Sequence, residues 1–170
     1  MKSAIAEAIF LHSMPVAIVL SDRVPDECLQ FKENTFGCVI ALLKSATKGK
    51  TAAFSKTTFG CPGGGVGLGF GNCYENFPGG IEQFLSTGNH EFCLTEFGKA
   101  VVSRMPDLEE GERYFKTPEI AKSFIESLPI TEISEKYILF KPLEQVTDNE
   151  APKTVIFLIN PDQLSALVVL

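Results

Sequence analysis

The stretch Gly60-Cys61-Pro62-Gly63-Gly64-Gly65-Val66-Gly67-Leu68-Gly69-Phe70-Gly71 holds seven of the chain's fourteen glycines. Ordering glycine costs more backbone entropy than ordering any other residue. Such a run is tolerated where the backbone takes unusual dihedrals or presses close to something. Gly65, Gly67, Gly69 and Gly71 alternate along it, which predicts an extended segment laid against another backbone. Cys61, between a glycine and a proline, is then expected on a bare, open loop.

Working outward, Thr51 to Thr58 reads as a strand leading into the glycines, and Phe77-Pro78-Gly79-Gly80 as a turn after them. A continuous β-branched run, Pro15-Val16-Ala17-Ile18-Val19-Leu20, predicts a buried strand. Tyr137 to Phe140 and Thr154 to Ile159 complete the strand set. Helices are expected over Ala4–Leu11, Phe36–Ala46, Ile81–Ser86 and Glu96–Met105. Asp22 to Asn34, polar and carrying Pro25, reads as a loop. Thr117-Pro118 and Asn160-Pro161 each pair a capping residue with a proline at the first helical position. They predict helices running to about Leu128 and from Gln163 onward. The expected fold class is α+β: a mixed β-sheet with helices packed on at least one face.

At 170 residues a single domain over 1–170 is the expectation. The net charge of −6 argues against a nucleic-acid binder, which needs a clustered basic face. No apolar run is long enough to cross a bilayer. The five cysteines (28, 38, 61, 73 and 93) are odd in number and widely spaced. That pattern suits reduced thiols and a cytoplasmic protein. The last residues, Ala166-Leu167-Val168-Val169-Leu170, are apolar with no stop signal. They suggest a C-terminally truncated fragment, or a structural half-domain completed by homodimerisation. A naturally buried C-terminal helix is the alternative.

The glycine stretch does not match a nucleotide fingerprint. G-x-G-x-x-G fails in every register, and Lys44 stands where a phosphate loop ending Gly49-Lys50-Thr51 needs its first glycine. Successive N–H groups of Gly60, Gly63, Gly64 and Gly65 could still cradle an anion or carbonyl, joined by Gly37 at the start of the next helix upstream. A packed turn is the plain alternative. Cys61 is the candidate nucleophile, because nearby N–H donors favour the reactive thiolate; a small buried hydrophobe is the competing reading. There is no C-x-x-C pair, so a metal or iron–sulfur cluster requires ligands from distant segments. Cys38 is the companion for Cys61, with Cys73 next. Cys28 and Cys93 read as structural.

Of the two histidines, His12 is placed to satisfy the last carbonyls of the first helix, and His90 lies on a polar turn. Asp107 to Glu112 reads as a solvated face. Phe59, Phe70 and Phe77 bracket the glycines and could wall a pocket, though core packing explains them as well. The leading expectation is a protein that binds a small anionic ligand or cofactor at the glycine-rich, cysteine-containing segment. An iron–sulfur or redox-thiol protein using Cys61 and Cys38 is the alternative.

Pro15-Val16-Ala17-Ile18, Phe36-Gly37-Cys38, Gly60-Cys61-Pro62-Gly63-Gly64 and Gly67-Leu68-Gly69 form a familiar set. With Val155-Ile156-Phe157 and Leu164-Ser165-Ala166-Leu167, the chain resembles the prokaryotic Domain of Unknown Function family 169. The likeness runs along its whole length. The resemblance implies longer relatives that carry another Gly-Cys segment, often in anaerobes. It draws attention to Cys38 and Cys61 and implies no particular activity.

Overall fold

A computed structural model describes residues 3–33, 35 and 37–169. The chain divides into two compact units: Met1–Phe59 with Ser134–Leu170, and Gly60–Ile133. The second is an insertion in the sequence of the first.

The first unit holds the whole sheet. Its strands are β1 (Val16–Ser21), β2 (Ala52–Phe54), β3 (Tyr137–Pro142) and β4 (Thr154–Ile156), in the order β2-β3-β1-β4. β1 and β3 pair along their full length, from Val16 opposite Pro142 to Ser21 opposite Tyr137. All three strand pairs are antiparallel. The α+β class holds, but the expected mixed sheet reduces to one parallel bridge between Leu29 and Ala52. The reason is directional: β3 returns from the 60–133 insertion running against both of its neighbours.

The central strands are apolar on both faces because both are covered. Ala17, Val19, Ala53 and Leu139 build one face, closed by Leu143 and Val146. On the other, Phe54 and Phe140 meet edge to face with ring centroids 4.8 Å apart. Full burial of a ring such as Phe54 contributes about 2–3 kcal/mol. Two helices flank the strands in sequence: α1 (Ala4–Ala8) before β1, and α2 (Val39–Ala46) between β1 and β2. α2 packs on β2 and β3 and buries Leu43 and Ala46. Phe36, included in the expected α2, lies outside the described residues. The strand expected over 51–58 keeps only three residues, because Ser55 to Thr58 closes into a hydroxyl-bonded turn (Ser55 N–H to Thr58 Oγ1, 3.0 Å).

The second unit is helical: α3 (Pro62–Leu68), α4 (Ile81–Phe84), α5 (His90–Leu94), α6 (Glu96–Val102) and α7 (Pro118–Ser127). A final helix, α8 (Pro161–Val169), returns to the first unit. The Thr117-Pro118 and Asn160-Pro161 signals both start helices as expected. At the second, Asn160 and Gln163 cap each other: the Gln163 N–H reaches Asn160 Oδ1 at 2.8 Å, and the Asn160 N–H reaches Gln163 Oε1 at 3.0 Å.

Four phenylalanines cluster in the second unit around the buried rings of Phe84 and Phe92. Phe77 stacks on Phe92 at 4.9 Å, Phe84 meets Phe92 edge-on at 5.0 Å, and Phe97 closes the group at 6.0 Å. Phe77 is therefore a packing residue. His90 is not on a turn but opens α5, behind its cap Asn89. Thr95 ends α5 and begins α6, its hydroxyl donating to Phe92 O at 2.7 Å and accepting from Gly98 N–H at 2.9 Å. A side-chain carbon at Gly98 would run into the Phe92 carbonyl, so the tight α5–α6 joint requires glycine there.

Candidate functional site

The glycine stretch, expected to be extended, is mostly α-helix. Cys61 has the extended backbone of a cap (φ −78°, ψ 151°), Pro62 takes the first helical position, and the Cys61 sulfur accepts the Gly64 N–H at 3.3 Å. This is the same cap-then-proline device seen at Thr117 and Asn160, with a thiol in place of an oxygen. The end is closed by a paired motif: Phe70 N–H to Gly65 O at 3.0 Å and Gly69 N–H to Val66 O at 3.0 Å, with Gly69 left-handed at φ 86°. Four glycines inside a seven-residue helix make it intrinsically weak, at about 1 kcal/mol each relative to alanine. Packing holds it, since Gly64 and Gly65 are buried. The extended reading holds only at the end, where Gly69 and Gly71 pair with residues 131–133 (Gly71 N–H to Thr131 O, 3.0 Å; Ile133 N–H to Gly69 O, 2.9 Å).

Two of the amides expected to cradle an anion are bonded within the start of the helix. Pro62 has no N–H, and the Gly64 N–H already belongs to the Cys61 sulfur. The Gly65 N–H is bonded to Cys61 O at 3.0 Å. Gly60, at φ 91°, makes the bend into the cap. The bare loop expected for Cys61 is a helix cap, and its thiol is half-buried.

What gathers beside Cys61 is a set of side chains. The Tyr74 hydroxyl lies over the first turn of α3, so close that a side-chain carbon at Gly63 would sit 3.3 Å from it. Burial raises the Tyr74 pKa, and the negative charges of Cys61, Glu112 and Cys73 raise it further. Cys61, Glu112 and Cys73 are thus the charged neighbours of the Tyr74 phenol within the second unit. Glu112 is itself half-buried, and burial raises its pKa. It was expected on a solvated face; instead its N–H is anchored to Phe84 O at 2.8 Å, which turns the chain inward there. The Cys73 S–H points at Phe70 O, 3.8 Å away. Tyr74 and Glu112 carry no motif and lie 38 residues apart (112 − 74), so only the fold could pair them. The one signal for Tyr74 is its place next to Cys73.

The match to a family model covers residues 4–170, under the description Uncharacterised ArCR. The chain belongs to Domain of Unknown Function family 169. No curated protein and no solved structure matches it. Within this family member, the two Gly-Cys segments fall in different units. Cys38 caps α2 in the first unit; it is exposed and makes no side-chain cap hydrogen bond. Gly37 beside it lies against the Phe31 ring, which would have to move aside for a side-chain carbon there. Cys61, Gly63, Gly64 and Gly65 belong to the second unit. Among the described residues, no group of three or more His, Cys, Asp or Glu side chains is arranged to hold a metal ion. Cys28 and Cys93 both have pKa values raised first by burial, as expected of structural thiols. No helix among the described residues is long and apolar enough to cross a membrane.

Proposed function

We propose that the second unit binds a small ligand or cofactor at the cluster of Cys61, Cys73, Tyr74 and Glu112, with the Cys61 thiol as the group presented to it. The reading rests on one observation: the Tyr74 hydroxyl lies over the first turn of α3, next to the Cys61 cap, where the charges of Cys61, Glu112 and Cys73 act on it. The raised pKa keeps Tyr74 a donor at neutral pH, and burial shifts Glu112 toward its protonated, donating form. Two neutral donors suit an acceptor oxygen, as in a small carbonyl compound or carboxylate anion. A soft thiol then lies next to the ligand's carbonyl carbon. The five unpaired cysteines suit a reducing compartment such as the cytoplasm.

Isothermal titration against a panel of small carboxylates, carbonyl compounds and cofactors tests this. A hit is expected to weaken about tenfold in Tyr74→Phe, the loss of one buried hydrogen bond. It is also expected to protect Cys61 from iodoacetamide. Unchanged affinity in both Tyr74→Phe and Cys61→Ala would discard the site.

A redox-thiol or iron–sulfur role is the second reading, favoured by two thiols, Cys61 and Cys73, whose charges both act on the Tyr74 phenol. Cys38 was its expected partner for Cys61 and enters only as a first-unit thiol. Anaerobic purification with absorbance spectra and iron analysis separates this reading from the first. Colourless, iron-free protein whose Cys61 and Cys73 stay reduced under mild oxidant rules it out.

A further inference from the structure

We draw no further inference here: the strongest candidate, the apolar surface of α8 in the first unit with Leu164 and Val168 one turn apart at 54% and 81% exposure, carries nothing because nothing in the structure shows what covers it.

Discussion

The Gly64 N–H donates to the Cys61 sulfur at 3.3 Å, so the thiol that the glycine-rich segment presents is also the cap of its helix. Structure and chemistry can be separated at that atom. Serine caps at least as well as cysteine, because oxygen is the better acceptor. Cys61→Ser should leave urea-unfolding stability unchanged or slightly raised and abolish ligand protection of the thiol position. Cys61→Ala should cost about 1 kcal/mol. A serine variant as unstable as the alanine one would show that the sulfur holds α3 by packing rather than by capping.

The glycines of α3 are not equivalent, and alanine scanning by urea unfolding should sort them. At Gly67 an added carbon meets nothing within 4 Å, so Gly67→Ala should stabilise by roughly 0.5–1 kcal/mol. At Gly63 the same helix gain is opposed by the Tyr74 hydroxyl at 3.3 Å. Gly63→Ala should therefore gain less than Gly67→Ala and shift the Tyr74 titration. At Gly69, φ is 86° and Ile133 Cγ2 would lie 3.1 Å away, so Gly69→Ala should lose about 1 kcal/mol or more.

Two glutamates should give opposite pH signatures. Glu150 accepts from Lys141 Nζ at 2.6 and 2.7 Å, from Thr147 N–H at 2.8 Å and from Thr147 Oγ1 at 3.0 Å. Burial would raise its pKa, but the hydrogen bonds of Lys141 and Thr147 and the Lys141 charge outweigh that and lower it. A depressed folded pKa stabilises above the unfolded carboxylate value and is lost as pH falls through the folded one. Glu150→Gln should flatten the acid limb of the stability curve below about pH 4.5. At neutral pH it should cost about 2 kcal/mol, between the exposed and fully buried limits, since the pair keeps 11% and 22% exposure. Glu112 has the reverse sign. Burial raises its folded pKa, so its contribution is present below the unfolded value and is lost as pH rises through the folded one. Glu112→Gln should raise stability at pH 7 and have no such effect at pH 4. Denaturant midpoints measured across pH 3–8 check both.

Asn89 ties the second unit's turn to its aromatic core. It is 3% exposed, donates through Nδ2 to Pro78 O at 2.7 Å and Gly80 O at 2.8 Å, and accepts the Phe92 N–H at 2.9 Å. Asn89→Asp keeps the cap and sets a carboxylate oxygen against two carbonyls. It should cost on the order of 2–3 kcal/mol, and hydrogen exchange should accelerate first at the amides of residues 80–93. Exchange that rises uniformly along the chain would mean Asn89 supports the global fold and not this turn alone.

Local chemistry made much of the architecture legible. The β-branched run at 16–20 reads as a buried strand because both of its faces are apolar. Thr117-Pro118 and Asn160-Pro161 read as helix starts because a cap and a fixed φ are properties of the residues themselves. Cys61-Pro62 carried the same signal, masked by the glycines that follow it. Their propensity opposes helix, and only burial of Gly64 and Gly65 in the folded unit overrides it. The bonding of Glu112 to Phe84, and of Gln163 to Ile9 and Phe10, left no periodic trace, because the residues of each pair are far apart along the chain. Sequence alone determined the strands at 16–21 and 137–142 and the helix starts at Pro118 and Pro161, since those follow from dihedral preference and nearest-neighbour hydrogen bonds. Tertiary structure alone decided the strand order, the helicity of the glycine run and the place of Tyr74 beside Cys61, since those depend on which distant groups share the same buried space.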